Sequence, residues 1–289
     1  MSADRYAVIG HPISHSRSPF IHGEFAKATR QDMSYERFDI APEELSTRVP
    51  TLLREGFRGL NVTVPHKESV VALTDELTER AQLAGAVNTL IALPDGRVRG
   101  DNTDGAGLMA DLHHLGIVVT TRSVLILGAG GATRGILGPL LAQNPSKVVI
   151  ANRTLAKAEA LVKLFGKAAL RTDGSSIPLA AHSTDDLHEP FDVVIHATSL
   201  GLQNATPLVD PKIIGPSTDA YDLGYGHQGT VFTRWAIEQA AATAHDGMGM
   251  LVEQAAEAFW LWRGVRPETI DVRRLLAEHD DQSGARNKP

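Results

Sequence analysis

Apolar runs broken by glycine, proline and polar clusters cut this chain into short strands and amphipathic helices. Tyr6-Ala7-Val8-Ile9 reads as a buried strand, followed by a loop from Gly10 to Arg17 and a helix with Ser18 as N-cap and Pro19 at its first position. Strands are expected at 34–40, 59–64 and 88–93, with helices near 42–55 and 67–83 between them. This alternation predicts an α/β layer, parallel or mixed. Beyond it, a helix over 104–115 leads to a strand at 123–127, a glycine-rich turn, a helix ending near 142, a strand at 147–151 and a helix at 155–165. Strands at 192–196 and 219–223 extend that second layer, which predicts a doubly wound, Rossmann-type sheet. A helix over 248–262 gathers Leu251, Val252, Ala255, Ala258, Phe259 and Trp262 on one face, and periodicity leaves open which unit it covers. After His279 the polar run Asp280-Asp281-Gln282-Ser283-Gly284 predicts an unstructured tail.

Length agrees with two units, since 289 residues exceed the usual size of one compact domain. No run of 18 uncharged apolar residues offers a membrane span, and the start Met1-Ser2-Ala3-Asp4-Arg5 lacks a charged-then-apolar export signal, so a cytoplasmic protein is expected. Cysteine is absent, which excludes disulfides and thiolate nucleophiles; redox chemistry would then require a bound cofactor. The net charge of −6 carries interspersed signs with no basic stripe, so nucleic acid is not an expected partner. The twelve histidines show no metal-ligand spacing, and His113-His114 cannot share one helical face.

Gly128-Ala129-Gly130-Gly131-Ala132 follows a strand and opens a helix, where small residues let a pyrophosphate approach the helix N-terminus. Thr133 stands where the full fingerprint has its last glycine. The end of the next strand holds Asn152, Arg153, Thr154 and Lys157 instead of the acid that would bond a ribose 2′-hydroxyl. A neutral amide followed by two cations attracts a 2′-phosphate, so NADP is the expected cofactor. The plainer readings are a ligand-free strand–helix turn, and a Thr154 that only caps the following helix.

Three polar clusters in the first unit fall where strands end: Ser14-His15-Ser16-Arg17-Ser18, Asn61-Val62-Thr63-Val64-Pro65-His66-Lys67, and Asn88 with Asn102-Thr103-Asp104. In α/β layers ligands sit at such ends, although each cluster alone could be caps and solvated charges. His66 rivals Lys67 as acid/base because imidazole titrates near neutrality. Neighbours at a helix start point about 100° apart, so only one of the two can face a substrate, and His66 is read as a helix-start or packing residue.

Through Gly10-His11-Pro12-Ile13-Ser14-His15-Ser16-Arg17-Ser18-Pro19, the Asn61–Lys67 segment, Gly85-Ala86-Val87-Asn88-Thr89, Gly100-Asp101-Asn102-Thr103-Asp104-Gly105, the glycine turn, Asn152-Arg153-Thr154 and Met250-Leu251-Val252-Glu253-Gln254-Ala255, the chain resembles the shikimate dehydrogenase family. The resemblance extends along nearly the whole length. It implies a substrate-binding and catalytic domain over 1–103 and 247–289, completed by the C-terminal helices, and an NADP-binding domain over 104–246. It implies NADPH-dependent, reversible reduction of 3-dehydroshikimate to shikimate, with Lys67 as acid/base, Asp104 as its partner, and Ser16, Ser18, Asn61, Thr63, Asn88, Tyr225 and Gln254 on the substrate. Glu79, Leu223 and Gly247 match cofactor-lining positions. Two departures stand on the cofactor side: His196-Ala197-Thr198 where many members read Asn-Ala-Thr, and Gly224 where a bulkier residue is common. The competing readings are a quinate/shikimate-type enzyme on a related ring and a non-catalytic NADP-binding sensor. Ser16 and Ser18, which the family associates with a tight carboxylate pocket, favour shikimate, and Lys67 with Asp104 speaks against a sensor. The expected partners are small molecules alone, for a monomer or homodimer.

Overall fold

The structure, a computed structural model, describes residues 3–171, 174–198, 208–226 and 229–286. The chain divides into two compact units: residues 1–107 with 251–289, and residues 108–250. Asp104 and the first turn of its helix therefore belong to unit 1, and Gly247 to unit 2.

Unit 1 is built on a six-stranded mixed sheet formed by β1 (Asp4–Gly10), β2 (Met33–Asp39), β3 (Phe57–Val62), β4 (Glu76–Leu77), β5 (Thr89–Ala92) and β6 (Val98–Asp101), in the order β2-β1-β3-β5-β6-β4. Strand β1 pairs in parallel with β2 and β3, whereas β5 runs antiparallel to β3 and β6. Its helices are α1 (Ser18–Thr29), α2 (Leu45–Arg54), α3 (Glu79–Ala84), most of α8 (Met248–Arg263) and α9 (Ile270–Arg286). Ala7, Ile9, Ile40, Val49, Leu52, Phe57, Leu60, Val62, Val70 and Leu90 form its core. The central strands β1 and β3 are nearly all buried, and β2 at the edge keeps a mixed apolar and polar face.

Unit 2 holds six parallel strands: β7 (Ser123–Leu127), β8 (Lys147–Ala151), β9 (Leu179–His182), β10 (Val193–His196), β11 (Asp219–Asp222) and β12 (Thr243–His245). They run in the order β9-β8-β7-β10-β11-β12, so the order reverses between β7 and β10. In this doubly wound layout the reversal opens a crevice at the carboxyl ends of the two strands. Helices α4 (Asp104–His114, shared with unit 1), α5 (Gly131–Leu141), α6 (Leu155–Phe165) and α7 (Val231–Glu238) complete it. Leu125, Leu127, Val149, Val194, Ala220, Phe232 and Trp235 are core residues; strands covered on both faces read as continuous apolar runs. Among the described residues no helix is long and apolar enough to cross a membrane.

Three local expectations are corrected. Instead of one helix over 67–83 the chain makes a turn, a 3-10 segment (Ser69–Leu73), strand β4 and then α3. Asp75 donates its backbone N–H to the Val98 carbonyl and accepts the Val98 N–H through its side chain, so pairing with β6 pulls this stretch out of a helix. Thr78 then caps α3, accepting from Ala81. Ser18 is the first residue of α1, not its N-cap: Arg17 occupies that place and makes no side-chain cap. The polar tail does not end the last helix, because α9 continues to Arg286.

Candidate active site

In unit 1 two of the three polar clusters, those of Lys67 and of Asn88 with Asn102-Thr103-Asp104, converge on one carboxylate. Asp104, first residue of α4, receives Lys67 Nζ on Oδ2 at 2.6 Å and Asn88 Nδ2 on Oδ1 at 2.8 Å. Its own backbone N–H is held by Asn102 Oδ1 at 3.1 Å. Both side chains of the ion pair are withdrawn from solvent, 14% exposed for Lys67 and 5% for Asp104. A 2.6 Å contact in such a setting is a charge-assisted hydrogen bond that fixes the amine. The backbone of Lys67 is fixed as well, its carbonyl accepting from Val87 N at 2.7 Å.

Asn88, buried just before β5, is the hub. Its Nδ2 also faces Thr103 Oγ1 (2.9 Å) and Gln254 Oε1 (3.2 Å), and its Oδ1 accepts from Thr103 N (2.8 Å) and Thr89 Oγ1 (2.9 Å). Gln254 thus joins the cluster from α8, 166 residues away in sequence. Asn61, at the end of β3, donates Nδ2 to Asn88 O (3.3 Å) and Thr89 Oγ1 (3.2 Å). Ser16 and Ser18 lie 3.2 Å apart through their hydroxyls, with Ser18 buried. Thr63 follows β3, its N–H on Ile9 O. Glu79 opens α3 in the same unit.

His66 does not share this cluster. It is buried, with Nε2 2.7 Å from the carbonyl of Ile40, an acceptor, so that nitrogen carries the hydrogen and donates it. The residue packs as expected, but in a turn and not at a helix start. Behind the loop, Asp101 accepts Arg80 bidentately (2.6 and 2.9 Å) together with Thr78 Oγ1 (2.7 Å). Arg80 also reaches Glu257 on α8 at 2.9 Å, fastening that helix beneath the site.

Unit 2 presents a different kind of site. Gly128 closes β7 with φ +114°, and a Cβ there would meet Ala197 O at 2.8 Å, so the turn needs glycine. Thr133 closes the same turn from inside: buried, its Oγ1 donates to Gly128 O at 2.8 Å, which gives the departure from the glycine fingerprint a structural reason. A Cβ at Gly130 would meet nothing within 4 Å, so the backbone leaves open space in front of the first turn of α5. The N–H groups of that turn have no helical acceptors and the helix dipole favours an anion there. Ala129, Gly131 and Ala132 complete the turn with no side chain larger than methyl.

At the end of β8, Asn152 Nδ2 bonds Thr154 O at 2.9 Å, and Arg153, Thr154 and Lys157 are exposed. Thr154 sits at the N-cap of α6 yet its hydroxyl makes no cap bond. No carboxylate among the described residues pairs with Arg153 or Lys157. Open space at a helix N-terminus, a cationic acid-free strand end and backbone donors together fit a dinucleotide with a 2′-phosphate.

On the other side of the reversal, His196 Nδ1 faces Asp222 Oδ1 at 3.0 Å, with Thr198 Oγ1 on Nε2 at 2.6 Å. The ring stacks on Phe232, centroids 4.8 Å apart. Asp222 also accepts Gly224 N (2.9 Å) and Thr230 Oγ1 (2.6 Å), so the two departures noted in the sequence, His196 and Gly224, meet on one buried carboxylate. Sequence reasoning missed Asp222, whose partners are scattered from 196 to 230. Leu223 N bonds His196 O, and Gly247 N bonds Gly224 O at 2.8 Å; a Cβ on Gly247 would lie 2.5 Å from Leu223 O. Tyr225 follows, 37% exposed.

Comparison with known proteins finds relatives along nearly the whole chain. Residues 8–90 match the shikimate dehydrogenase substrate binding domain, 112–206 the shikimate / quinate 5-dehydrogenase model and 247–276 the shikimate 5′-dehydrogenase C-terminal domain. The shikimate dehydrogenase (NADP(+)) of Alkalilimnicola ehrlichii is 50% identical over 275 residues, covering 94% of this chain and 98% of that protein. Among solved structures, an Ael1 enzyme from Pseudomonas putida superposes with a TM-score of 0.84 at 44% identity, covering 95% of this chain and 98% of that one. The shikimate 5-dehydrogenase of Thermus thermophilus, solved in complex with NADP(H) and shikimate, gives 0.80 at 32% identity, covering 94% of this chain and 97% of that one. With identity of this order along almost the entire length of its relatives, the chain belongs to the shikimate dehydrogenase family.

Proposed function

We propose that the chain interconverts 3-dehydroshikimate and shikimate with NADP as redox partner, unit 1 holding the ring and unit 2 the dinucleotide. The observation that carries this reading is the buried Lys67–Asp104 contact at 2.6 Å, bracketed by Asn88 on the other carboxylate oxygen. The chemistry supplied by a bound nicotinamide is hydride donation to the ring carbonyl carbon, or its reversal. Held by Asp104 through one N–H, the Lys67 ammonium keeps two others for the substrate oxygen, and protonates that oxygen as charge develops on it. In the oxidative direction the neutral amine takes the hydroxyl proton. Asp104 keeps the amine in place throughout and, with Oδ1 fixed by Asn88, cannot swing away.

Ser16, Ser18, Asn61, Thr63, Tyr225 and Gln254 supply hydroxyls and amides suited to a small ring with a carboxylate and three hydroxyls. Such groups reject a poorer fit because each would be left desolvated and unpaired. Quinate, with an extra ring hydroxyl, is then a poor substrate. The glycine turn 128–132, Asn152, Arg153, Thr154, Lys157, Leu223 and Gly247 would hold NADP, with Glu79 lining it. The lack of cysteine and the acid-free 2′-phosphate seat support work in a reducing cytoplasm on NADPH. A cuvette assay tests the reading: protein, shikimate and NADP should generate absorbance of reduced nicotinamide, with quinate and NAD as controls. No turnover of shikimate, or equal turnover of quinate, would overturn it.

A further inference from the structure

One residue outside every motif holds a member of the candidate substrate set. Tyr35, in β2, donates its hydroxyl to Asn61 Oδ1 at 2.6 Å. Chemistry fixes the direction of the first bond. The other end of the Asn61 amide lies 3.3 Å from the carbonyl of Asn88, which can only accept, so that end must be Nδ2 and the end facing Tyr35 must be oxygen. The phenol is therefore the donor. Burial raises its pKa well above the ordinary value, which keeps the proton on it.

The ring itself cannot drift. It stacks face to face on His22, centroids 4.2 Å apart and planes 5° from parallel, while Trp262 lies against it at 6.3 Å. His22 is fully buried among Phe25, Phe259 and Trp262, and burial lowers its pKa to about 3, so it serves as an uncharged slab at any assay pH. Register adds a further constraint, because Tyr35 pairs with Tyr6 across β1 and β2. By contrast, the two remaining bonds of the Asn61 amide are long, at 3.2 and 3.3 Å. Only the phenol holds that amide tightly.

We propose that Tyr35 is a positioning residue of the substrate pocket, whose hydroxyl sets the orientation of the Asn61 amide and thereby determines affinity for the ring substrate. The proposal rests on the shikimate reading of the site. Without the phenol oxygen, Asn61 Oδ1 loses its short partner and the amide can turn, so substrate meets a pocket that must first be ordered. Proton transfer is untouched, because neither Lys67 nor Asp104 bonds Tyr35.

The test is Tyr35→Phe, which keeps the stack and removes one oxygen. KM for shikimate should rise about 3- to 10-fold, the equivalent of one net hydrogen bond, with kcat within about twofold and KM for NADP unchanged, while the melting temperature falls by a few degrees as expected for one buried hydrogen bond lost. A double-mutant cycle separates positioning from mere packing: in an Asn61→Ala background, Tyr35→Phe should have little further effect on KM. An unchanged KM, a fall in kcat and melting temperature together, or full additivity with Asn61→Ala each overturns the inference. If Tyr35→Phe fails to fold, His22→Leu decides the matter, since it loosens the ring while leaving the hydroxyl and should raise KM for shikimate by a smaller factor; no change overturns the proposal. Failure of the unmodified protein to oxidise shikimate with NADP sinks the underlying reading, whereas normal turnover with a silent Tyr35→Phe sinks this inference alone.

Discussion

The candidate sites of the two units are built by opposite means. In unit 1 the candidate groups are side chains bonded to one another: Lys67 to Asp104, Asp104 to Asn88, Asn88 to Gln254 and, through its carbonyl, to Asn61. In unit 2 the candidate anion seat is backbone and space, a glycine turn before a helix terminus, flanked by exposed cations that bond little else. A network of buried side chains fixes atoms to tenths of an ångström and fails as a whole when one member goes. A backbone seat tolerates change in its side chains but not in its turn. Chemistry needs the first kind of precision, and holding a phosphate needs only the second.

The sharpest way to break this contrast is at Lys67. Lys67→Met should lower kcat by about 10²–10⁴-fold, the range for a positioned acid/base, with NADP affinity nearly unchanged. His66→Ala is the control, because that ring already donates to Ile40 O in the core; it should affect stability more than turnover. Loss of turnover in His66→Ala with an active Lys67→Met would exchange their roles.

The cofactor side should respond more weakly and more locally. Arg153→Ala should weaken NADP roughly 10- to 150-fold, the loss of one charge-assisted hydrogen bond, and leave NAD binding almost alone. Binding titrations of both cofactors check this, and a parallel loss for NAD would remove Arg153 from the 2′-phosphate. Combining Arg153→Ala with Lys67→Met should give additive free energies, whereas Lys67→Met with Asn88→Ala should fall short of additivity because Asp104 is common to both. Equal additivity in the two pairs would erase the distinction drawn between the units.

Smaller again is Thr133→Val, which removes the hydroxyl that closes the glycine turn and leaves Gly128 O without that partner. A loss of about 1–3 kcal/mol in stability is expected, read by denaturant unfolding, with a modest weakening of NADP. Unchanged stability would mean that the turn is held by backbone geometry alone.

Much of this was legible from residue order. Strands buried on both faces, such as β7 and β8, announce themselves as apolar runs, and the glycine turn, the Asn152–Lys157 cluster and the motif residues around Lys67 and Asp104 are each contiguous in sequence. What escaped was decided by distant partners. The 67–83 stretch has helical spacing of Val70, Leu73 and Leu77, yet pairing of Glu76 and Leu77 with Arg99 and Gly100 overrides it. Arg80 and Glu257 lie 177 residues apart, and neither signals the other. Tyr35 looks like one more half-buried strand residue until the fold brings His22 against its ring and Asn61 to its hydroxyl. Ser18 had the composition of a cap, but the chain enters α1 one residue earlier.

The mildest test concerns a charge that unit 2 does without. Asp246 precedes Gly247 and accepts Met248 N at 3.2 Å and Gly226 N at 3.4 Å, so it ties together the two loops that carry Gly247 and Tyr225. Burial, reinforced by Asp222 and Asp111 nearby, raises its pKa above the ordinary carboxylate value, against the lowering effect of the two backbone donors. A folded-state pKa above the unfolded one means that this group contributes stability below the unfolded value of 3.8, and that the contribution is lost as pH rises through the folded value. At neutral pH the carboxylate therefore costs stability. Asp246→Asn removes the charge and, like the neutral carboxyl, keeps one acceptor oxygen, so that one of the two backbone donors loses its partner. Because burial outweighs both donors in the net shift, melting temperature at pH 7 should rise by about 2 °C, a fraction of a kcal/mol for a domain of this size. The gain should shrink toward zero as pH falls below about 4, where the native carboxyl is also neutral. Affinity for NADP should hold, since a seat built of backbone asks of this side chain only its oxygen. A lower melting temperature at pH 7 would show that the loops need both oxygens of the ionised carboxylate, so that unit 2 relies on an ionised side chain as unit 1 does, and a gain independent of pH would show that the buried charge is not its source.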